Sequence, residues 1–221
     1  MTADTKPAAL DHVDAWVFDL DNTLYPASCN LFEQVDRRMG EFICRYLDLG
    51  WDDARDLQKR YFREHGTTLR GLMTVHDLDP EEYLDFVHDI DLTPVDHSHV
   101  LDDALSRLGG RKLIFTNGSV RHAERVLEKI GIARHFEDIA DIVACGYVPK
   151  PDRSIYEKVI DRFGIDPRRS AMIEDMARNL KPAHELGMTT VWVRTDEDWA
   201  SVPPDAAYVD HAIDDLGEWL L

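Results

Sequence analysis

Two aspartates separated by one leucine end a short apolar segment near the start of the chain. The segment is Trp16-Val-Phe-Asp-Leu-Asp-Asn-Thr-Leu-Tyr25, and its carboxylates are Asp19 and Asp21. An apolar segment this short is typical of a strand buried on both faces of a parallel sheet. Both carboxylates would then lie at the carboxyl edge of the sheet, where ligands bind in such folds. Paired carboxylates at such an edge suit acid–base chemistry or the binding of a hard divalent cation.

Similar aspartate pairs occur twice more in other settings. Asp77-Leu-Asp79 precedes Pro80, a pattern typical of a helix N-cap followed by a proline in the first turn. Asp89-Ile-Asp91 lies where a helical pattern ends. We therefore expect both of these pairs to be solvated helix ends rather than sites.

Three further polar segments lie close to predicted strand ends or helix starts. Thr116, Asn117 and Gly118 end the second predicted strand, Lys150-Pro151 precedes a helix, and Glu174-Asp175 ends a later strand with Asn179 following. Each segment alone fits an ordinary turn, helix entry or N-cap. Together they would bring a hydroxyl, free backbone N–H groups, an amine and further acids to the edge that carries the aspartate pair.

The elements that must position these residues alternate along the chain. Predicted strands cover Val13 to Phe18, Lys112 to Phe115, Ser170 to Ile173 and Thr190 to Val193, with a weaker pattern at Ala207 to Val209. Helical patterns beginning at Val120, Ser154 and Ala177 end at Gly131, Gly164 and Gly187, where a left-handed residue closes a helix. This alternation predicts an α/β fold with a doubly wound parallel sheet.

Residues 26–99 interrupt the alternation with helical patterns only. Apolar residues follow helical spacing from Leu31 to Leu47, and further helical stretches run over 52–65, 67–76 and 80–90. We call residues 26–99 the helical insertion. We predict that it is a separate unit and that residues 1–25 and 100–221 form the core.

Composition limits the classes of partner. The formal net charge of −18 and a pI of about 4.8 disfavour nucleic-acid polymers and membranes as partners. The three cysteines follow no disulfide or metal pattern, and the first twelve residues lack the apolar core of a signal peptide. We expect a soluble, cytoplasmic protein, with a homodimer as an open alternative.

In this order, the motifs D-x-D-N-T, T-N-G, K-P and E-D-x-x-x-N resemble those of the haloacid dehalogenase superfamily of phosphohydrolases. The resemblance covers the whole chain, and the helical insertion resembles that superfamily's first-position (C1-type) cap. The segments DNTLY and IEDMARNL are most similar to the pyrimidine 5′-nucleotidase branch. The resemblance implies a Mg²⁺-dependent phosphomonoester hydrolase with an aspartyl-phosphate intermediate, whose small-molecule substrate is a pyrimidine nucleoside 5′-monophosphate.

The resemblance also implies roles for the site residues. Asp19 would be the nucleophile and Asp21 the general acid and base, with Lys150 beside the phosphate. Thr116, Asn117 and Gly118 would bind the phosphate. Asp19, the backbone carbonyl of Asp21 and Asp175 would bind Mg²⁺, while Glu174 acts through a metal-bound water and Asn179 orients the site.

Electrostatics supports a cation in such a site. A phosphate dianion near Asp19 and Asp175 would meet a repulsion of about 4 kcal/mol for each pair of unit charges at ~4 Å. Mg²⁺ and Lys150 would offset it. We expect Asp19 to be a carboxylate at neutral pH and Asp21 to hold a proton at the moment of attack.

Residues that contact the leaving group are harder to select. We choose Arg70 and His76 as candidates, and expect Met39, Phe42 and Tyr46 to be packing residues. The alternatives that remain open are a sugar-phosphate or phosphoglycolate phosphatase, a phosphomutase with the same intermediate, and a non-catalytic binding protein on the same fold.

Overall fold

The structure is a computed structural model that describes residues 10–195 and 206–221. Residues 1–9 and 196–205, which belong to the predicted core, lie outside the described residues. The strands are β1 (Ala15–Phe18), β2 (Arg111–Phe115), β3 (Asp138–Ala140), β4 (Ser170–Glu174), β5 (Thr189–Val193) and β6 (His211–Ile213). The helices are α1 (Leu31–Leu47), α2 (Trp51–His65), α3 (Thr68–His76), α4 (Pro80–Val87), α5 (His99–Arg107), α6 (Val120–Ile130), α7 (Arg153–Phe163), α8 (Ala177–Glu185) and α9 (Leu216–Leu220).

The strands form a parallel sheet in the order β3-β2-β1-β4-β5-β6. β1 lies in the middle, where Phe18 pairs with Ile114 on one side and with Ile173 on the other. The chain extends from β1 toward β3 and then returns to continue on the opposite side with β4. Such a switch in strand order opens a crevice at the carboxyl ends of β1, β2 and β4.

Both faces of the sheet are covered, as the short continuous apolar strands predict. Trp16 and Phe18 belong to one buried cluster, and Ala15 and Val17 belong to another on the opposite face. Successive residues of a strand point to opposite faces, so burial on both sides requires apolar residues at every position of β1. The predicted α/β fold with a doubly wound parallel sheet is confirmed.

Helices α1 to α4 follow β1 and pack against one another. Their buried residues, including Phe42 and Leu72, continue the cluster that contains Trp16 and Phe18 on one sheet face. Asp79 caps α4, where its carboxylate accepts a hydrogen bond from the Glu81 N–H at 3.0 Å. This pair of aspartates is a helix cap, as its proline-containing context predicts.

Two predictions about the sheet were wrong or incomplete. Residues 207–209 form a turn rather than a strand, and the edge strand is β6, which pairs with β5. The backbone oxygen of Tyr208 instead accepts a hydrogen bond from the Thr190 hydroxyl at 2.8 Å. β3 was not predicted because its three residues include Asp138 and carry little pattern.

No helix in the described ranges has the length and apolarity needed to cross a membrane.

Candidate active site

Lys150 joins the ends of three strands beneath the crevice. Its buried ammonium donates hydrogen bonds to Asp19 Oδ1 at 2.6 Å, Glu174 Oε2 at 2.7 Å and the Phe115 carbonyl at 3.0 Å. The Asp19 N–H donates to the Ile173 carbonyl at 2.9 Å, which continues the β1–β4 pairing by one residue. The polar segments that follow β1, β2 and β4 therefore meet at one edge, as the sequence predicts.

The loop after β2 has a fixed shape. The Thr116 hydroxyl accepts a hydrogen bond from the Gly118 N–H at 2.9 Å, and Asn117 Oδ1 accepts one from the Lys150 N–H at 2.9 Å. The Asn117 side-chain oxygen is therefore used to hold Lys150, and the Gly118 N–H is bonded to Thr116. Asp141, which the sequence analysis missed, accepts hydrogen bonds from the N–H groups of Val120 and Ala144 and so joins the start of α6 to the segment after β3.

Asp19, Glu174 and Asp175 form an acidic cluster whose oxygen atoms lie within 4.8 Å of one another. Within the described residues, Asp175 Oδ2 and Asn179 Oδ1 are buried without a hydrogen-bond partner. Burial, followed by the charges of Glu174 and Asp19, raises the pKa of Asp175 well above its ordinary value. Buried oxygen atoms without partners and crowded carboxylates fit a hard divalent cation, which would satisfy both.

The pKa values of the two aspartates do not follow the expected order. Burial, followed by the charge of Glu174, raises the pKa of Asp19 to about 7, although Lys150 opposes this shift. Burial also opposes charge on Asp21, but His122 and Tyr25 together lower the pKa of Asp21 below its ordinary value. A charged Asp19 and a protonated Asp21, as expected from the sequence, therefore require two further charges in the site. A cation must stabilise the Asp19 carboxylate, and an anionic substrate must disfavour charge on Asp21.

Asp21 has two partners that the sequence analysis missed. The Tyr25 hydroxyl lies 2.6 Å from Asp21 Oδ1, and His122 Nε2 lies 2.8 Å from the same oxygen. Tyr25 lies four residues beyond Asp21 in the same loop, whereas His122 belongs to α6, which follows β2. No local pattern in the sequence indicates this contact between α6 and the loop after β1.

One cavity of about 490 Å³ extends from this edge into helices α1 to α4. Its floor is formed by the site residues Asp19, Asp21, Thr116, Asn117, Gly118, Lys150, Glu174, Asp175 and Asn179. About half of the residues that line it from the helical insertion are apolar, including Phe32, Val35, Phe62 and Val87. A polar end is provided by Asp36, Arg55, Gln58 and Tyr83. A leaving group in this cavity would meet an apolar wall and a few fixed polar groups.

The structure does not bring Arg70 and His76 to the cavity. From α3 and its N-cap the cavity is lined only at the start, by Thr67, Thr68 and Leu69. Arg70 is turned by about 100° from Leu69, and His76 lies about two turns further along the helix. His76 Nε2 lies 2.8 Å from the Tyr61 hydroxyl. Arg70 lies toward Asp152, whose pKa it helps to lower after the hydrogen bonds from Ser154.

The apolar residues of α1 behave in two ways. Phe42 is buried within the helical insertion, as expected, and the exposed Tyr46 stacks on it with ring centroids 5.6 Å apart. Met39, which we also expected to be a packing residue, lines the cavity. Met39 and Phe42 are three residues apart and lie within about 60° of each other around the helix axis, so Met39 packs against the same cluster and also reaches the cavity.

Known proteins resemble this chain in sequence and in fold. The family described as haloacid dehalogenase-like hydrolase matches residues 13–187. Phosphate metabolism protein 8 of Saccharomyces cerevisiae is 28% identical over 214 residues, which are 88% of this chain and 65% of that protein. Phosphoglycolate phosphatase of Agrobacterium fabrum is 27% identical over 213 residues, which are 89% of this chain and 88% of that protein.

A solved structure shares the fold. YfnB from Bacillus subtilis, a putative HAD-hydrolase bound to magnesium, has a TM-score of 0.60 at 18% identity, covering 93% of this chain and 96% of that chain. At this identity the likeness is one of fold. The chain spans less than two thirds of the length of the yeast protein, with 65% covered.

Proposed function

The chain belongs to the haloacid dehalogenase-like hydrolases, and from this premise we propose that it is a phosphatase that hydrolyses phosphomonoesters through an aspartyl-phosphate on Asp19. The observation that carries this proposal is the position of Lys150. Its ammonium lies 2.6 Å from Asp19 Oδ1 and 2.7 Å from Glu174 Oε2, at the floor of a cavity that also contains the Thr116 loop. An amine and fixed N–H groups beside a carboxylate suit attack on a phosphate.

In the first step, an oxygen of Asp19 forms a bond to phosphorus as the phosphorus–oxygen bond to the leaving group breaks. The electron pair of the broken bond stays on the leaving oxygen, which takes the proton of Asp21. In the second step, Asp21 takes a proton from water, the water oxygen bonds to phosphorus, and the bond between phosphorus and Asp19 breaks. The products are an alcohol and inorganic phosphate, and Asp21 is protonated again.

Mg²⁺ is the proposed cofactor. Asp19, Asp175 and the backbone carbonyl of Asp21 would hold it, with Glu174 and Asn179 supporting the site. When bound, the cation would offset the charge of the acidic cluster and of the phosphate. Support comes from the buried Asp175 Oδ2, which has no hydrogen-bond partner within the described residues. The oxygen-only set of ligands favours Mg²⁺ over softer ions.

The proposed substrates are pyrimidine nucleoside 5′-monophosphates. The cavity of about 490 Å³ accommodates a nucleoside, and its apolar wall with a polar end suits a flat ring that has hydrogen-bonding edges. The helical insertion, residues 26–99, is proposed to act as a cap that excludes bulk water during attack. A phosphoglycolate phosphatase is the second candidate, since such an enzyme is 27% identical over 89% of the chain.

A panel of phosphomonoesters tests the proposal. The purified protein is given Mg²⁺ and UMP, CMP, dTMP, AMP, phosphoglycolate, a hexose phosphate or p-nitrophenyl phosphate, and free phosphate is measured. We expect release to require Mg²⁺, to stop in EDTA and to be fastest with the pyrimidine nucleotides. Faster turnover of phosphoglycolate would favour the second candidate, and a phosphorylated product without free phosphate would indicate a mutase. Release of phosphate from none of these compounds would contradict the proposal.

A further inference from the structure

Asp21 is held by two side chains that bind the same oxygen atom. The Tyr25 hydroxyl donates to Asp21 Oδ1 at 2.6 Å, and His122 Nε2 lies 2.8 Å from that atom. Tyr25 is 3% exposed and His122 is 1% exposed. We call Tyr25 and His122 the Asp21 clamp. Because its members come from the loop after β1 and from α6, they fix the carboxyl group from two separate elements.

The His122 ring is itself fixed in place. It stacks on the His88 ring with centroids 4.3 Å apart and an angle of 11° between the planes. His88 Nδ1 lies 3.0 Å from the hydroxyl of Ser119, the N-cap residue of α6, and that hydroxyl also accepts the His122 N–H at 3.3 Å. His88 follows α4 of the helical insertion, so the stack joins the insertion to the core.

The surroundings of His122 decide which ring nitrogen donates. Its Nδ1 is buried and has no hydrogen-bond partner within the described residues. A proton on Nδ1 would therefore be a buried donor without an acceptor, which is costly. The ring proton instead lies on Nε2, from which it is donated to Asp21 Oδ1. With Tyr25, this gives Oδ1 two hydrogen-bond donors.

We propose that His122 is a positioning residue for the proton transfer of Asp21, and that it acts with Tyr25 by reserving Oδ1 as an acceptor. A proton on this carboxyl then lies on Oδ2, which makes no hydrogen bond to the clamp. Asp21 lines the cavity together with Asp19 and Lys150, so Oδ2 is the oxygen available to the leaving group. During attack the O–H electron pair stays on Oδ2, and the proton passes to the leaving oxygen. This inference rests on the proposed phosphatase function.

Leaving groups of different quality separate this role from a structural one. An alkoxide leaving group needs a proton, whereas p-nitrophenolate departs readily without one. The value of kcat/KM reports the transfer of phosphate to Asp19 and not the later hydrolysis, which is common to all substrates. For His122→Leu we expect kcat/KM to fall by about 10²-fold on the best nucleotide substrate and by less than about fivefold on p-nitrophenyl phosphate. His122→Gln, whose amide can reach the position of Nε2, should recover most of the rate.

A matched control is His135→Leu, which breaks a second histidine–aspartate pair away from the cavity, with His135 Nε2 2.6 Å from Asp102 Oδ1. It should lose equal, small amounts of rate on both substrates. If His122→Leu does not fold, His122→Asn takes its place in the test. The shorter asparagine amide cannot reach Asp21 Oδ1, so we expect the His122→Asn enzyme to be slow and the His122→Gln enzyme to be fast. Equal losses on both substrates, or no recovery with glutamine, would overturn the inference. A wild-type protein inactive on both substrates would instead overturn the proposed function.

Discussion

At Asp19, the two carboxylate oxygens have different surroundings. Oδ1 accepts a hydrogen bond from Lys150 at 2.6 Å, whereas the partner of Oδ2 among residues 10–195 and 206–221 is the Thr23 hydroxyl at 3.5 Å. A strong charge-assisted bond holds the first oxygen in place. The second is the freer of the two and is therefore the better placed to attack phosphorus. The same residue can be anchored and reactive because its two oxygens have these separate roles.

Asp19→Asn should remove phosphate release and leave the fold intact. An amide cannot act as the nucleophile, so we expect turnover to fall by at least about 10³-fold. Turnover is measured by phosphate release and the fold by circular dichroism. Asp14→Asn is the control, because Asp14 lies before the opposite end of β1 and pairs with Arg169 at 2.7 Å on the surface. Near-normal turnover in Asp19→Asn would exclude this residue as the nucleophile.

The aspartate pairs show what can be predicted at the scale of residues. Asp79 and Asp21 occupy the same position in identical D-L-D triplets, yet one caps α4 and the other lines the cavity. The preceding buried strand and the following proline distinguish them in the sequence. His122 could not be found in this way, because its contact with Asp21 joins residues far apart in the chain. Arg70 and His76 were chosen by residue type, without knowledge that only the start of α3 lines the cavity.

At the scale of elements, α4 places an unusual hydroxyl group at the cavity. Tyr83 is 2% exposed and lines the cavity, and its hydroxyl makes no hydrogen bond within the described residues. Thr68 is a polar neighbour of this hydroxyl. A buried hydroxyl without a partner is costly unless a ligand satisfies it. Tyr83 is therefore suited to bind a polar edge of the leaving group.

Tyr83→Phe should weaken binding of the best nucleotide without loss of stability. Loss of one hydrogen bond should raise KM by about tenfold for that nucleotide and leave KM for p-nitrophenyl phosphate unchanged. The unfolding temperature should not fall, because the hydroxyl makes no hydrogen bond in the part of the chain that the structure describes. The control is Tyr46→Phe, whose exposed hydroxyl bonds the His76 carbonyl at 3.3 Å. Equal changes in KM for both substrates would show that the Tyr83 hydroxyl does not bind the leaving group.

Elements with strong local patterns were predicted well. Gly131 and Gly164 end α6 and α7 in the left-handed conformation, as their positions after helical patterns indicate. β3 and β6 were missed because each has three residues and lies at an edge of the sheet, where burial on both faces is incomplete. Central strands carry an apolar pattern because the fold covers them, and edge strands need none. The sequence therefore predicted the site-bearing strands better than the outer ones.

At the scale of the whole molecule, an acidic protein concentrates further carboxylates in its cavity. The net charge is −18, and in the acidic cluster of Asp19, Glu174 and Asp175 the ammonium of Lys150 forms ion pairs with Asp19 and Glu174. Folding without a cation must place these charges close together in a region of low dielectric constant. The raised pKa of Asp19, about 7, and the raised pKa of Asp175 both express this cost.

The sign of the pH dependence follows from these shifts. Because the folded-state pKa of Asp19 is raised to about 7, its contribution to stability is present at low pH and is lost as pH rises toward 7. His88 acts in the opposite direction, because burial, followed by His122, lowers its pKa to about 3 and its contribution grows until the pH exceeds about 6.5. The pH dependence of the total free energy of unfolding therefore contains both contributions. The additional stabilisation by Mg²⁺ reports the carboxylates alone, since the cation binds them only in their charged form.

Mg²⁺ should therefore stabilise the protein more at pH 8 than at pH 5. At a concentration about 100-fold above its Kd, it should raise the unfolding temperature by about 5 °C at pH 8. At pH 5 the rise should be less than half as large, because protons occupy Asp19 and Asp175. Thermal unfolding in EDTA and in Mg²⁺, at matched ionic strength, measures this difference. Asp175→Asn should abolish it. An equal rise at both pH values, or one retained in Asp175→Asn, would show that Mg²⁺ acts on the acidic surface instead of in the cavity.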